Sequence, residues 1–214
     1  MKISSISSAA AMALTVVLAT ATGSAQAIPV IGGITTVTLV SAPTLTGAGV
    51  TVSTLGTATA SAVGDFPVVK FPITGGDLSA SFAGTIAHNG SGLKLTTATG
   101  TISLTNFLID TVSLTLSGAV AFGTTTLSNV PLFSLSANSN TASPFDLKLS
   151  ATAAGALSTV LGVPNLSGAL IATAATAPIT AAIPEPSTYA LMLGGLGVAG
   201  WVARRRKAEA AAAA

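Results

Sequence analysis

Cysteine is absent from this chain of 214 residues, histidine occurs once, and Lys, Arg, Asp and Glu together make up only 7% of it. Without cysteine there is no disulfide, no thiolate nucleophile and no thiolate metal site, so stability must come from packing. A single histidine, His88, rules out a zinc site with several imidazoles and any HExxH pairing within one chain. Aromatic residues make up 4% of the chain, which leaves the core to Val, Leu, Ile, Ala and a few Phe. No G-x-S-x-G elbow is present, and the aspartates do not have EF-hand spacing. These absences predict a protein that is not an enzyme, with no catalytic residues, no metal and no cofactor.

The few charges are unevenly placed. Lys2 and the cluster Arg204-Arg205-Arg206-Lys207 lie near the ends, while residues 28–186 hold Lys70, Lys94 and Lys148 against Asp65, Asp77, Asp110, Asp146 and Glu185. With Glu209 counted, the ends carry +4 and the middle is weakly acidic at −2, which together give the formal charge of +2. No basic patch interleaved with aromatics is available, which excludes nucleic acid as a partner.

The two ends read as topogenic segments. At the N-terminus a lysine, an apolar region over Ala9–Ala21 and the A-x-A sequence Ala25-Gln26-Ala27 predict a signal peptide over residues 1–27, cut by signal peptidase before Ile28. At the C-terminus, Pro184-Glu185-Pro186 precedes an uncharged run, Tyr189–Ala203, with Tyr189 and Trp201 near its ends and the basic cluster behind it. Pro184 and Pro186 disfavour helix at and before themselves, and such an extended segment suits a protease. The run reads as a single transmembrane helix with interfacial anchors and a cytoplasmic stop at Arg204, Arg205, Arg206 and Lys207. It is short: about 15 residues at roughly 1.5 Å each cover about 22 Å of a hydrocarbon core near 30 Å. A snorkelling Arg204 extends that reach, and a short span suits a transient anchor. Residues 208–214 are expected to form a disordered cytoplasmic tail. Gly195-Leu-Gly-Val-Ala-Gly200 fits G-x-G-x-x-G but lies inside the span, where helix packing explains it better than a dinucleotide.

This order of motif, span and basic stop, over residues 183–207, resembles the PEP-CTERM sorting signal of Gram-negative bacterial surface proteins. The resemblance implies recognition by an exosortase-like processing enzyme through Pro184, Glu185 and Pro186. It also implies transient anchoring in the inner membrane, then a place at the cell surface or outside it, in bacteria that make exopolysaccharide and biofilm. The tail departs from that pattern in continuing past Lys207 into an alanine-rich end.

The exported region, residues 28–182, is of single-domain size. Its apolar residues alternate with Ser and Thr in Ser91–Thr96, Thr101–Thr105, Thr111–Ser117, Leu132–Ser136 and Phe145–Ser150, the period of half-buried strands. Turns are expected at Gly75-Gly76, Asn89-Gly90, Gly118, Gly123, Asn129 and Asn138–Asn140, with Asn89-Gly90 the strongest hairpin signal. Ala151–Gly162 spaces Leu157, Val160 and Leu161 for one short amphipathic helix with a glycine stop. Residues 172–183 read as a last strand and a linker. The prediction is an all-β fold, an antiparallel sandwich or a barrel-like domain, plus one helix.

His88, next to the expected Asn-Gly turn, is predicted to face solvent. Strand faces rich in Thr and Ser are hydrated without charge; they suit exopolysaccharide contact, and edges with so few charges favour self-association. Phe71–Gly76, Gly84–His88 and Asn106–Asp110 resemble stretches of exported domains of bacterial surface proteins, some loosely similar to haem-uptake modules. That resemblance carries no assigned activity. The resulting expectation is a structural protein of the cell surface or extracellular matrix; the alternative is a secreted module binding sugar, haem or metal.

Overall fold

A computed structural model describes residues 27–63, 66–182 and 186–212. The order of elements is β1 (Ile28–Thr38), α1 (Ala42–Gly47), β2 (Thr51–Gly56), β3 (Thr59–Val63), β4 (Phe66–Pro72), β5 (Gly75–Leu78), β6 (Gly84–Thr96), β7 (Thr101–Asp110), β8 (Thr115–Phe122), β9 (Thr125–Ala137), β10 (Phe145–Leu149), α2 (Ala151–Leu161), β11 (Leu170–Thr180) and α3 (Pro186–Ala212). All β, with a short helix after β10 and a helix at the C-terminus, is what the alternation and the tail predict.

The strands form one antiparallel sheet that closes on itself. From β5 to β11 the order runs β5-β6-β7-β8-β9-β10-β11, and β1 joins its two edges by pairing with β5 through Ile28↔Leu78 and with β11 through Val30↔Thr180 to Thr38↔Thr173. Of the two predicted forms, this is the barrel. Between β1 and β6 the wall forks: β4 and β3 extend from the far half of β1, and β2 pairs with the far half of β6. Helix α1 fits at that fork.

Gly123 and Asn138–Asn140 lie between strands as expected, but other residues expected to make turns instead bend long strands. Asn89-Gly90 lies inside the 13-residue β6, where the register jumps from His88↔Phe107 to Gly92↔Thr105. Three residues there face only Asn106, whose side chain accepts the Gly90 N–H at 2.9 Å. Gly90 and Asn106 both have positive φ, 76° and 53°, a conformation Gly and Asn adopt at low cost. Gly118 and Asn129 likewise sit at register shifts between β8 and β9, and Gly75-Gly76 opens β5. A Cβ on Gly76 would lie 2.1 Å from the Thr85 carbonyl oxygen, so a glycine is required by the neighbouring backbone. The physical reason for the correction is closure: a barrel must curve, and bulges supply the curvature.

A second correction concerns Thr111–Ser117. Asp110 accepts the N–H groups of Val112 and Ser113 at 2.8 and 3.1 Å and pins a turn there, so β8 begins only at Thr115. Leu114, expected to share the buried face with Leu116, is 45% exposed.

The barrel has two unlike ends. At one, which we call the helix end, α2 covers the opening, its buried Ala153, Ala154 and Leu161 facing the core, and Thr97 and Thr99 of the β6–β7 turn donate to the Leu161 carbonyl. Gly162 ends α2 with φ 68°, as its position predicts. Ser150 caps its start: the hydroxyl accepts the Ala153 N–H at 3.0 Å and donates to the Pro131 carbonyl at 2.6 Å. Ser150→Ala should cost about 1 kcal/mol, read as a lower urea midpoint with unchanged slope. The other, terminal end carries Ile28, Thr180 and the turns at residues 79–83 and 111–114.

Inside, Ile86, Ile102, Leu78 and Leu132 are almost wholly buried, and a cavity of about 150 Å³ lies among side chains including Ile102, Phe107, Leu132 and Leu157. At the fork a cleft of about 300 Å³ is lined by Leu39, Leu45, Val52, Val69 and Leu93.

Candidate functional site

Two places hold the chemistry that the sequence singles out: the C-terminal segment and the surroundings of His88.

In the C-terminal segment, Pro184 and Glu185 lie outside the described residues, as does Ala25 at the other end. Pro186 is the first residue of α3, where a proline's missing N–H costs nothing. The helix then runs unbroken through the basic cluster to Ala212. From Leu191 to Arg206 every side chain is exposed, including Met192, Leu193, Leu196 and Val198. Arg205 stacks its guanidinium 5.1 Å from the centre of the Trp201 ring, one turn back. Arg204 and Arg206 are also exposed. Among the described residues no helix is long and apolar enough to cross a membrane, which agrees with the shortness of Tyr189–Ala203. Ala27 is exposed and β1 starts at Ile28, immediately beyond it.

His88 contradicts its expected place in solvent. It is 1% exposed, inside the barrel on β6. The Asn-Gly pair beside it makes a bulge instead of a turn, so the strand continues and its apolar face carries His88 inward. Nε2 lies 2.7 Å from the Thr35 hydroxyl on β1, and Nδ1 is 3.4 Å from the Phe107 carbonyl on β7. Thr35 is also 2.9 Å from the Thr176 hydroxyl on β11. One assignment satisfies every group: Nδ1–H donates to Phe107, Thr35 donates to Nε2, and Thr176 donates to Thr35. Phe71 stands edge-on to both His88 and Phe107. Burial without a counter-charge lowers the pKa of His88 from 6.5 to about 4, a shift the Phe107 carbonyl opposes only in part.

The neutral imidazole is therefore a tie between β1, β6, β7 and β11, at the seam where the barrel closes. Among the described residues no carboxylate enters this network. Ser91, also buried, donates to the His88 carbonyl and not to the ring. Among the described residues no group of three or more His, Cys, Asp or Glu comes together, and no buried side-chain polar atom lacks a partner. Asp110 is occupied by its turn, whose N–H donors hold its pKa below the usual value, and Asp146 accepts from Asn138 at 2.6 Å. Asp65 lies outside the described residues. The buried tie was legible only in retrospect, from His88 standing in phase with Ile86.

A closed antiparallel barrel followed by a helix that ends in a basic cluster is the arrangement that the structure presents. The family model for the PEP-CTERM protein-sorting motif matches residues 182–207. The chain thus carries the sorting motif, as a substrate of an exosortase does, and the motif implies export with transient anchoring in the membrane. No curated protein matches the chain. The β domain is similar to the crystal structure of the C-terminal domain of HtaA from Corynebacterium glutamicum, with a TM-score of 0.50 and 12% identity over 72% of this chain and 99% of that one. At that identity the likeness is one of fold.

Proposed function

We propose that the protein is a structural component of the cell surface or extracellular matrix, cut at Pro184-Glu185-Pro186 by an exosortase-like enzyme and working without catalysis of its own. The observation that carries this reading is the sorting motif at residues 182–207 joined to a barrel with its buried polar atoms already paired among the described residues. Outward Thr and Ser give a hydrated, nearly uncharged wall suited to exopolysaccharide, and the edge strand β3, paired among the described residues with β4 alone, offers a second copy an uncharged edge.

Replacing Glu185 by Ala together with Pro186 by Leu should leave export intact and trap an uncut form in the inner membrane. Fractionation and intact mass read the outcome. Release of the double variant with the wild-type cut would refute the processing role.

The alternative, a ligand-binding module, draws support from the internal cavity. At about 150 Å³ it is below the roughly 300–1,000 Å³ of ordinary small-molecule sites. A haem does not fit in it, and its apolar walls offer a sugar nothing to bond. A compact apolar molecule is what it could admit.

A further inference from the structure

We propose that the terminal end of the barrel is a membrane-contact surface, resting on the phospholipid bilayer that holds α3 until the sorting segment is cut; the inference rests on the sorting reading above. Ala181 N–H still donates to the Pro29 carbonyl at 2.9 Å, so the barrel grips its chain up to that residue. Only five peptide steps then separate Ala181 from Pro186, at most about 17 Å when fully extended. With a tether that short, the terminal end is the part of the barrel nearest the membrane whatever path the linker takes.

That end also carries the four most exposed large apolar side chains of the barrel, Val112, Phe82, Ile31 and Ile179, ahead of Ile34, Leu127, Phe66 and Leu170 elsewhere. Phe82 is 65% exposed, Val112 71% and Leu114 45%, on two turns joined by the Thr111 hydroxyl, which donates to the Phe82 carbonyl and accepts the Gly84 N–H. Ile31 and Ile179, on the paired strands β1 and β11 close to where the chain leaves, are exposed as well. Phe82 and Leu114 sit at φ 60° and 52°, where Gly or Asn would be relaxed and a bulky side chain is strained. The hydrogen bonds of Thr111 and Asp110 fix the two turns and so keep both side chains at their tips despite that cost, available to an apolar neighbour. Among the described residues the charges beside these two turns, Asp77 and Asp110, are acidic, and the basic Lys70, Lys94 and Lys148 stand within β4, β6 and β10. The contact is therefore with the acyl-headgroup boundary through apolar side chains and not through attraction to anionic lipid.

The absence of cysteine makes the test clean. Single variants Phe82→Cys, Val112→Cys, Gly123→Cys and Gly197→Cys of the full chain are labelled with a nitroxide and reconstituted in phosphatidylcholine vesicles. Collisions with oxygen and with a water-soluble nickel chelate are compared. Position 197 in α3 should read as lipid and position 123, at the helix end, as water. Positions 82 and 112 should shift from the water value to the interface value, and adding Val112→Asp to the Phe82→Cys chain should move the label back toward water. If 82 and 112 match 123 while 197 reads as lipid, the contact surface is refuted and the anchor stands. Labels at 82 and 112 that are immobilised without oxygen preference mean that protein covers the patch, which also refutes it. If 197 itself reads as water, the anchor fails and the proposal falls with it.

Discussion

Between pH 7 and pH 4 the β domain is expected to lose about 3 kcal/mol of stability through His88 alone. The unfolded chain titrates this imidazole near 6.5 and the folded barrel holds it near 4. In that window the unfolded state binds more protons, so stability rises with pH. The full contribution is present above pH 6.5, falls as pH drops towards 4, and changes no further below that. A gap of about 2.5 units at 1.36 kcal/mol per unit gives about 3 kcal/mol, a large share of a marginal fold. Urea unfolding of the protein at several pH values measures it. In a His88→Gln variant the slope between pH 6.5 and 5 should vanish even though the baseline is lower; an unchanged slope would show that the histidine does not carry it. The window above pH 5 separates His88 from the carboxylates, and Asp110, with its pKa lowered, contributes its own loss only at more acid values.

Leu116→Asp should be more damaging still. Leu116 is 7% exposed and stands on β8 opposite Ile109 and Phe133. A carboxylate there meets no partner, and the cost of several kcal/mol is enough to unfold the barrel. The informative comparison is two residues earlier. Alternation alone puts Leu114 on the same buried face, yet it is exposed with φ 52°, so Leu114→Asn should be neutral or slightly stabilising. Thr115→Asp, harmless by alternation, would set a second carboxylate directly opposite Asp110 and should cost up to about 1 kcal/mol. Thermal melts of the three variants distinguish the register from its alternatives: equal melts would mean that β8 does not start where Asp110 places it.

The contrast between Leu114 and Leu116 shows where the sequence is readable. Period-two alternation is a local property, and it identified β10, the first half of β7 and the later parts of β6 and β9, while the glycine stop and helical spacing identified α2. It could not tell a glycine or asparagine that ends a strand from one that bends it. That choice depends on whether the partner strand continues, and for Asn89-Gly90 the partner is Asn106, on the next strand. The placement of His88 followed from this choice, since a bulge keeps the chain in its strand where a turn would have put the ring in water. Helix α1 escaped notice because six residues carry too little periodicity, and Pro43 at its start reads equally well as a loop. The sorting motif was legible, because its recognition depends on residue order and not on tertiary contacts; the helix continuing to Ala212, where a disordered tail is expected, was not.

The pairing of β1 with β11 has a consequence for the order of events in export. A chain that emerges N-terminus first delivers β1 at once and its partner some 140 residues later, as the separation of Thr35 and Thr176 shows. Until β11 arrives the seam lacks half its backbone partners, the Thr35 hydroxyl has no Thr176, and the barrel cannot shut. When it does arrive, the sorting segment follows it by only a few residues. Closure is thus expected to be the last folding step and to take place on a leash. Contacts this distant in sequence form slowly, and a temporary anchor would hold the unfinished, edge-exposing chain at the membrane, away from its neighbours, until the first and last strands have met.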